Sequence, residues 1–151
     1  KFHLDLWQQP YAVSRYYGVE RWSDAHIKAL RPYLKALGDA GQKVVSTIMF
    51  YEPWGDQSND KFSPMIQTTK KADGTWSYDS TIFDKYANWC AEYGIREQIN
   101  CYSMVPWDMT FRYYDEASKA DVDLKTTTGS AEYKTLWTEF LKAFKVHLVE
   151  K

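Results

Sequence analysis

The sequence predicts an α/β fold, part of a (β/α)8 TIM-type barrel: its first three βα units, two of them carrying β-hairpin insertions. Three observations support that prediction. First, β-prone runs alternate with helical patterns in the order βα, β-hairpin-α, β-hairpin-α, and such alternation implies a parallel sheet with right-handed crossovers. Second, three of the β-prone runs close in polar residues and a tryptophan: FHLDLW at 2–7, VVSTIMFYEPW at 44–54, and QINCYSMVPWD at 98–108. Third, 151 residues hold three such units, whereas a closed eight-stranded barrel takes about 250 residues. A small open parallel three-layer α/β sheet is the alternative.

Residues 2–7 alternate Phe, Leu and Leu with His3, Asp5 and Trp7, a period-two strand. Gln8, Gln9 and Pro10 end it, and an aromatic loop with Tyr11, Tyr16, Tyr17 and Trp22 follows. Ser23 is a good N-cap with Asp24 in the first turn. Ile27, Leu30, Leu34 and Leu37 recur at helical spacing across Pro32, and Gly41 marks the stop. Residues 42–50 form a more uniformly apolar second strand, as expected for one covered on both faces. The first insertion follows Asp56, with Met65 to Lys71 and Thr75 to Asp79 about Asp73-Gly74, a strong hairpin signal. Ser80 opens a helix with Ile82, Phe83, Tyr86, Cys90 and Tyr93 on its apolar face, and Gly94 ends it. The third strand covers 95–104, and a second hairpin turns around 117–120. Ser130 caps the last helix, whose stripe is Tyr133, Leu136, Trp137, Phe140, Leu141, Phe144 and Leu148.

Composition narrows the function. Seven Trp, twelve Tyr and seven Phe make 17% aromatic, and many of them lie in polar, turn-rich sequence where a core would not put them. Exposed aromatics suit flat ligands, and in a protein of net charge −1 sugar rings are the commonest. No basic cluster offers an electrostatic footprint for nucleic acid, and no apolar run is long enough to span a bilayer. The chain lacks an initiator Met and a signal peptide, and VHLVEK runs on as helix without a glycine stop. Both ends are expected to be cut from something longer. Cys90 and Cys101 have no metal-ligand or CxxC spacing, and they read as two buried free thiols rather than a helix-to-strand disulfide.

In a parallel α/β sheet, ligands bind at the C-terminal strand ends. Asp5, Trp7 and Gln8 fall there, as do Glu52 and Trp54, and Asn100, Tyr102, Trp107 and Asp108. Converging carboxylates and amides are costly to bury without partners, so they suggest a ligand site. Structural roles compete with that assignment. Asp5 could accept backbone donors or His3, Glu52 could be a solvated loop carboxylate, and Asn100 could serve a neighbouring strand. The Trp54 indole could pack on the insertion. His3, His26 and His147 have no acidic or hydroxyl partner at motif spacing and read as structural or surface residues. There is no phosphate loop, GxSxG elbow or HExxH. Asp5, Glu52 and Asp108 on three strand ends do not form an acid and base pair.

These stretches resemble the catalytic domain of glycoside hydrolase family 123: FHLDLWQQP at the first strand, the FYEPWGD turn, and MVPWDMTFRYYDE leading through a hairpin to SAEYKTLWTEFLKAF. The resemblance implies a (β/α) barrel glycosidase acting on β-linked N-acetylgalactosamine, retaining and assisted by the substrate's own 2-acetamido oxygen. An Asp would orient that acetamide and an adjacent Glu would be general acid/base, an exception to the two-carboxylate scheme. It implies no metal or organic cofactor, and a periplasmic or extracellular bacterial setting. The family's Asp-Glu pair follows the last helix seen here and is expected beyond Lys151. Asp115-Glu116 sits at a hairpin turn, so no catalytic role is assigned to it. On this reading residues 1–151 are the N-terminal part of one barrel domain, inactive alone. Their partners are an amino-sugar glycan and the remainder of the barrel. A complete, non-catalytic carbohydrate-binding domain is the competing reading.

Overall fold

The first stretch departs from expectation. In the computed structural model, which describes residues 3–102 and 104–150, residues 3–9 form no strand ladder; Phe2 lies outside the described residues. The segment is held beside β1 (Val44–Thr47) by two glutamine side chains. Gln8 Nε2 donates to the Val44 carbonyl at 3.2 Å, and its Oε1 accepts the Ser46 N–H at 2.7 Å. Those contacts bracket Val45 where the peptide group of a parallel neighbour would sit. Gln42 reciprocates, its Oε1 accepting the Leu6 N–H at 2.9 Å and its Nε2 donating to the Leu6 and Val44 carbonyls at 3.2 and 2.7 Å. Because side chains replace the ladder, period-two alternation does not govern burial here. Leu6 is 51% exposed.

The expected aromatic loop is a helix, α1 (Pro10–Tyr17). Proline at the first position brings a helical φ and removes an N–H that would have had no partner, while Tyr11 and Ser14 are buried. α2 (Asp24–Asp39) starts as expected, with Ser23 Oγ accepting the His26 N–H at 3.2 Å. Pro32 lies on its exposed side, where water can satisfy the carbonyl left without a helical donor. The helix therefore continues through it. α3 (Thr81–Ala91) buries Phe83, Tyr86, Trp89 and Cys90. Its first N–H is satisfied by Asp79, whose Oδ1 accepts the Thr81 N–H at 2.9 Å, while the Ser80 side chain makes no capping bond. α2 and α3 end alike. Gly41 and Gly94 have φ of 93° and 78°, and the next residues, Gln42 and Ile95, donate back to Leu37 and Cys90. This left-handed stop turns each helix into the following strand.

β1 pairs in parallel with β4 (Gln98–Cys101), Val44 opposite Gln98 and Thr47 opposite Cys101, so the expected α/β class holds. All four β1 residues are buried. The two insertions do not remain separate hairpins. β2 (Gln67–Lys70) and β3 (Trp76–Asp79) join β5 (Thr110–Asp115) and β6 (Ala120–Lys125) in one mixed sheet ordered β3-β2-β5-β6. The joint is parallel, Thr69 opposite Tyr114. That sheet packs on α4 (Ala131–Glu150) through Phe111, Tyr78, Trp137 and Phe140. Ser130 Oγ caps α4 by accepting the Tyr133 N–H. Only Leu136 and Phe140 of its stripe are fully buried; Leu141 and Leu148, expected inside, are about half exposed. Cys90 and Cys101 are free thiols, and burial pushes the Cys90 pKa up to about 12.

Candidate functional site

Four aromatic side chains from the three tryptophan-bearing stretches meet in one cleft of about 220 Å³. The Trp7 and Tyr102 ring centroids are 4.1 Å apart, and Trp54 lies 5.6 Å from Tyr102. Trp107 completes the lining with Gln9, Gln57 and Ser58. Backbone bonds fix the arrangement. The Tyr102 N–H extends the parallel pairing by donating to the Thr47 carbonyl at 3.2 Å, and the Trp107 N–H donates to the Pro53 carbonyl at 2.9 Å. The second bond ties the YEPWG turn to the VPWD turn, and both turns thereby face the same space. Trp7 and Trp107 are 54% and 58% exposed, far more than core indoles. Trp54 takes both roles weighed for it, packing edge-on against Phe62 at 4.6 Å and lining the cleft. Apolar ring faces with a few amides and a hydroxyl at the rim make a surface suited to a flat, hydroxylated ring.

The same two turns also build a second, polar cleft of about 200 Å³, with Glu52 and Asp108 in its wall. Arg112 is the organised group there. Its Nε and Nη2 bind the Asp123 carboxylate at 2.7 and 2.8 Å, and its guanidinium lies 4.0 Å from the Tyr51 ring centroid. The hydrogen bonds from Arg112, with its charge adding to them, lower the Asp123 carboxyl pKa. Glu52 has a left-handed φ of 43°; its Oε1 accepts the Phe62 N–H, and its own N–H donates to the Phe62 carbonyl at 3.0 Å. One carboxylate oxygen of Glu52 is thus a loop brace, and the side chain still borders the cleft. Asp108 Oδ1 accepts the Thr110 N–H at 3.0 Å.

Of the residues singled out from sequence, Trp7, Trp54, Tyr102 and Trp107 meet in the aromatic cleft, and Glu52 and Asp108 in the polar one. Gln8 meets neither, because its buried amide is engaged by β1. Asp5 is exposed, and Asn100 is half-buried on β4 opposite Ser46; neither lines either cleft. Sequence reasoning passed over Gln9, Gln57, Ser58, Arg112 and Asp123. No sequence signal marked Gln9, whose place at the cleft follows from the docking of Gln8 on β1. The other four come from the insertions, whose fold no periodicity announces.

His26 is structural. Its Nδ1 accepts the Trp22 N–H at 2.9 Å, which leaves Nε2–H to donate to the Pro10 carbonyl at 2.8 Å. Burial lowers its pKa. His147 bonds Asp84 at 2.7 Å between α4 and α3. Asp115 accepts the Ser118 N–H and hydroxyl, and Glu116 accepts the Ala72 N–H. Both are turn acceptors, as their sequence context suggested. Among the described residues, no group of His, Cys, Asp and Glu could hold a metal ion, and no helix is long and apolar enough to cross a membrane.

Residues 7–151 match the family described as "Glycoside hydrolase 123, catalytic domain". No curated protein sequence gives a match. Among solved structures, the chain is similar to a family 123 glycoside hydrolase from Clostridium perfringens, whose structural analysis concerns glycolipid glycan hydrolysis. The TM-score is 0.90 at 35% identity, over 95% of this chain and 26% of that one. The chain spans about a quarter of that enzyme's length. With the match running from Trp7 of the aromatic cleft to the end of the sequence, the chain belongs to the glycoside hydrolase 123 catalytic-domain family.

Proposed function

We propose that this chain is the N-terminal part of a (β/α) barrel catalytic domain that hydrolyses β-linked N-acetylgalactosamine, and that it supplies the substrate-holding wall. The observation that carries the reading is the convergence of Trp7, Trp54, Tyr102 and Trp107 on one cleft at the C-terminal ends of parallel strands. Asp115 and Glu116 brace turns, which favours a catalytic Asp-Glu pair elsewhere in the protein. On that account the Asp orients the substrate's 2-acetamido group, whose oxygen attacks the anomeric carbon, and the Glu protonates the leaving oxygen and then activates water. The aromatic cleft holds a sugar ring so that this intramolecular attack starts from a fixed geometry. Two features favour continuation of the barrel beyond these elements: β4 pairs only with β1 among the described residues, and α4 exposes Leu141, Val146, Leu148 and Val149.

The test is hydrolysis of an aryl β-N-acetylgalactosaminide. The intact protein should release the aryl group, and the 151-residue chain alone should not. Release of a different sugar by the intact protein would remove the substrate assignment. Turnover by the short chain would remove the assignment of catalysis to residues outside it.

A further inference from the structure

We propose that Gln8 and Gln42 are positioning residues for sugar binding: neither lines the aromatic cleft, and together they hold Trp7 where it meets the substrate. This rests on the sugar-binding reading of that cleft and deepens it.

Trp7 and Gln9 line the cleft, and Gln8 between them does not. The residues on either side of Trp7 are the two that the glutamine amides grip. The Leu6 N–H donates to Gln42 Oε1 at 2.9 Å, and the Leu6 carbonyl accepts from Gln42 Nε2 at 3.2 Å and from Gln8 Nε2. That carbonyl belongs to the peptide bond that carries Trp7. Both amides are anchored in turn to β1. Gln8 binds the Ser46 N–H and the Val44 carbonyl, and Gln42 binds the Val44 carbonyl at 2.7 Å. The next carbonyl along β1, that of Thr47, accepts the Tyr102 N–H. One strand therefore locates both the Trp7 and the Tyr102 ring, whose centroids are 4.1 Å apart.

Packing does little to hold this segment. Gln8 is the buried residue among 3–9, and Leu6 and Trp7 stand about half exposed. Gln42 is wholly buried. The amides are what fix the segment, and their chemistry is specific. An amide offers an acceptor and two donors in one plane. A carboxylate at either position would have no donor for the Val44 and Leu6 carbonyls, and a thioether would have neither donor nor strong acceptor. Without the clasp, the Trp7 ring has to be ordered by the sugar itself, and that ordering lowers affinity.

The test is made on the intact protein hydrolysing an aryl β-N-acetylgalactosaminide. Gln42→Met keeps the volume and removes the clasp's bonds from Gln42. It should raise KM about tenfold with kcat nearly unchanged, the pattern of lost binding. Gly38→Ala, at the α2–α3 contact outside the cleft, is the control. Assayed close to its melting temperature, it should lower apparent kcat through a smaller folded fraction and leave KM alone. Trp7→Ala should raise KM at least as much as Gln42→Met does. Because Gln42 acts through Trp7, the double variant should exceed Trp7→Ala by less than about twofold. If Gln42→Met lowers apparent kcat at constant KM while Trp7→Ala raises KM, the positioning role is overturned and the aromatic site stands. Effects that multiply in the double variant would overturn it too. A KM indifferent to Trp7→Ala would overturn both the sugar-binding reading and the positioning role. Should Gln42→Met not fold, NMR relaxation of the Trp7 indole N–H in the unmodified protein decides. It should be as rigid as the β1 backbone before any N-acetylgalactosamine is added. An indole mobile in the free protein and ordered only by the sugar would overturn the positioning role.

Discussion

Gln8 and His26 show how a side chain can take the place of backbone structure. The Gln8 amide serves the Val44 carbonyl and the Ser46 N–H, so truncating it removes the side-chain acceptor of the buried Ser46 N–H and one of two side-chain donors to the Val44 carbonyl, which keeps Gln42. Gln8→Ala should therefore cost about 1–3 kcal/mol, read as a lower denaturant midpoint at unchanged slope. His26 is held neutral by burial, with Arg21 and Lys85 disfavouring its charge further. Its folded pKa lies below the ordinary 6.5, so the unfolded chain binds more protons and stability falls as pH drops through and below about 6.5. The melting temperature should decline between pH 7 and 5, and His26→Asn should start lower and lose much of that slope. Neither role was legible. A glutamine two residues before a proline and a histidine in a helix's first turn carry no mark of which distant backbone groups they will meet. The tryptophans carried a signal, since Trp54 and Trp107 stand in Pro-Trp turns outside any apolar stripe, although Trp54 packs on core Phe62 as well as lining the cleft.

Elements with one strong local cause were readable, and elements that depend on distant partners were not. α2 and α3 follow from an apolar stripe and a glycine stop, α2 and α4 from a stripe and a serine cap, and the Asp-Gly turn fixes β2 and β3. α1 was missed because its exposed Tyr16 and Tyr17 blur the amphipathic pattern that Pro10 begins. The merging of the two hairpins depends on a two-residue parallel joint, Thr69 with Tyr114 and Lys70 with Asp115, which no local signal encodes. The α2–α3 packing likewise turns on one atom. A Cβ on Gly38 would collide with the Tyr93 carbonyl oxygen at the end of α3. Gly38→Ala should destabilise the chain by about 1–3 kcal/mol despite its better helix propensity, a sign reversal that thermal melts can detect.

At the scale of the whole molecule, the elements place an aromatic cleft at the ends of parallel strands and leave apolar surface on the far side of α4. Leu141, Val146, Leu148 and Val149, with the open edge of β4, should make the isolated chain self-associate. Light scattering should show mass rising with concentration, and Leu148→Glu with Val149→Lys should reduce it; a strictly monomeric chain at all concentrations would count against a continuing barrel. Sugar binding in the aromatic cleft is tested most directly by the seven indole N–H signals in a heteronuclear NMR titration with an N-acetylgalactosamine oligosaccharide. Trp7, Trp54 and Trp107 should shift together, while Trp22, Trp76, Trp89 and Trp137 stay in place. Shifts confined to the second group, or none at all at saturating sugar, would contradict a sugar-binding cleft.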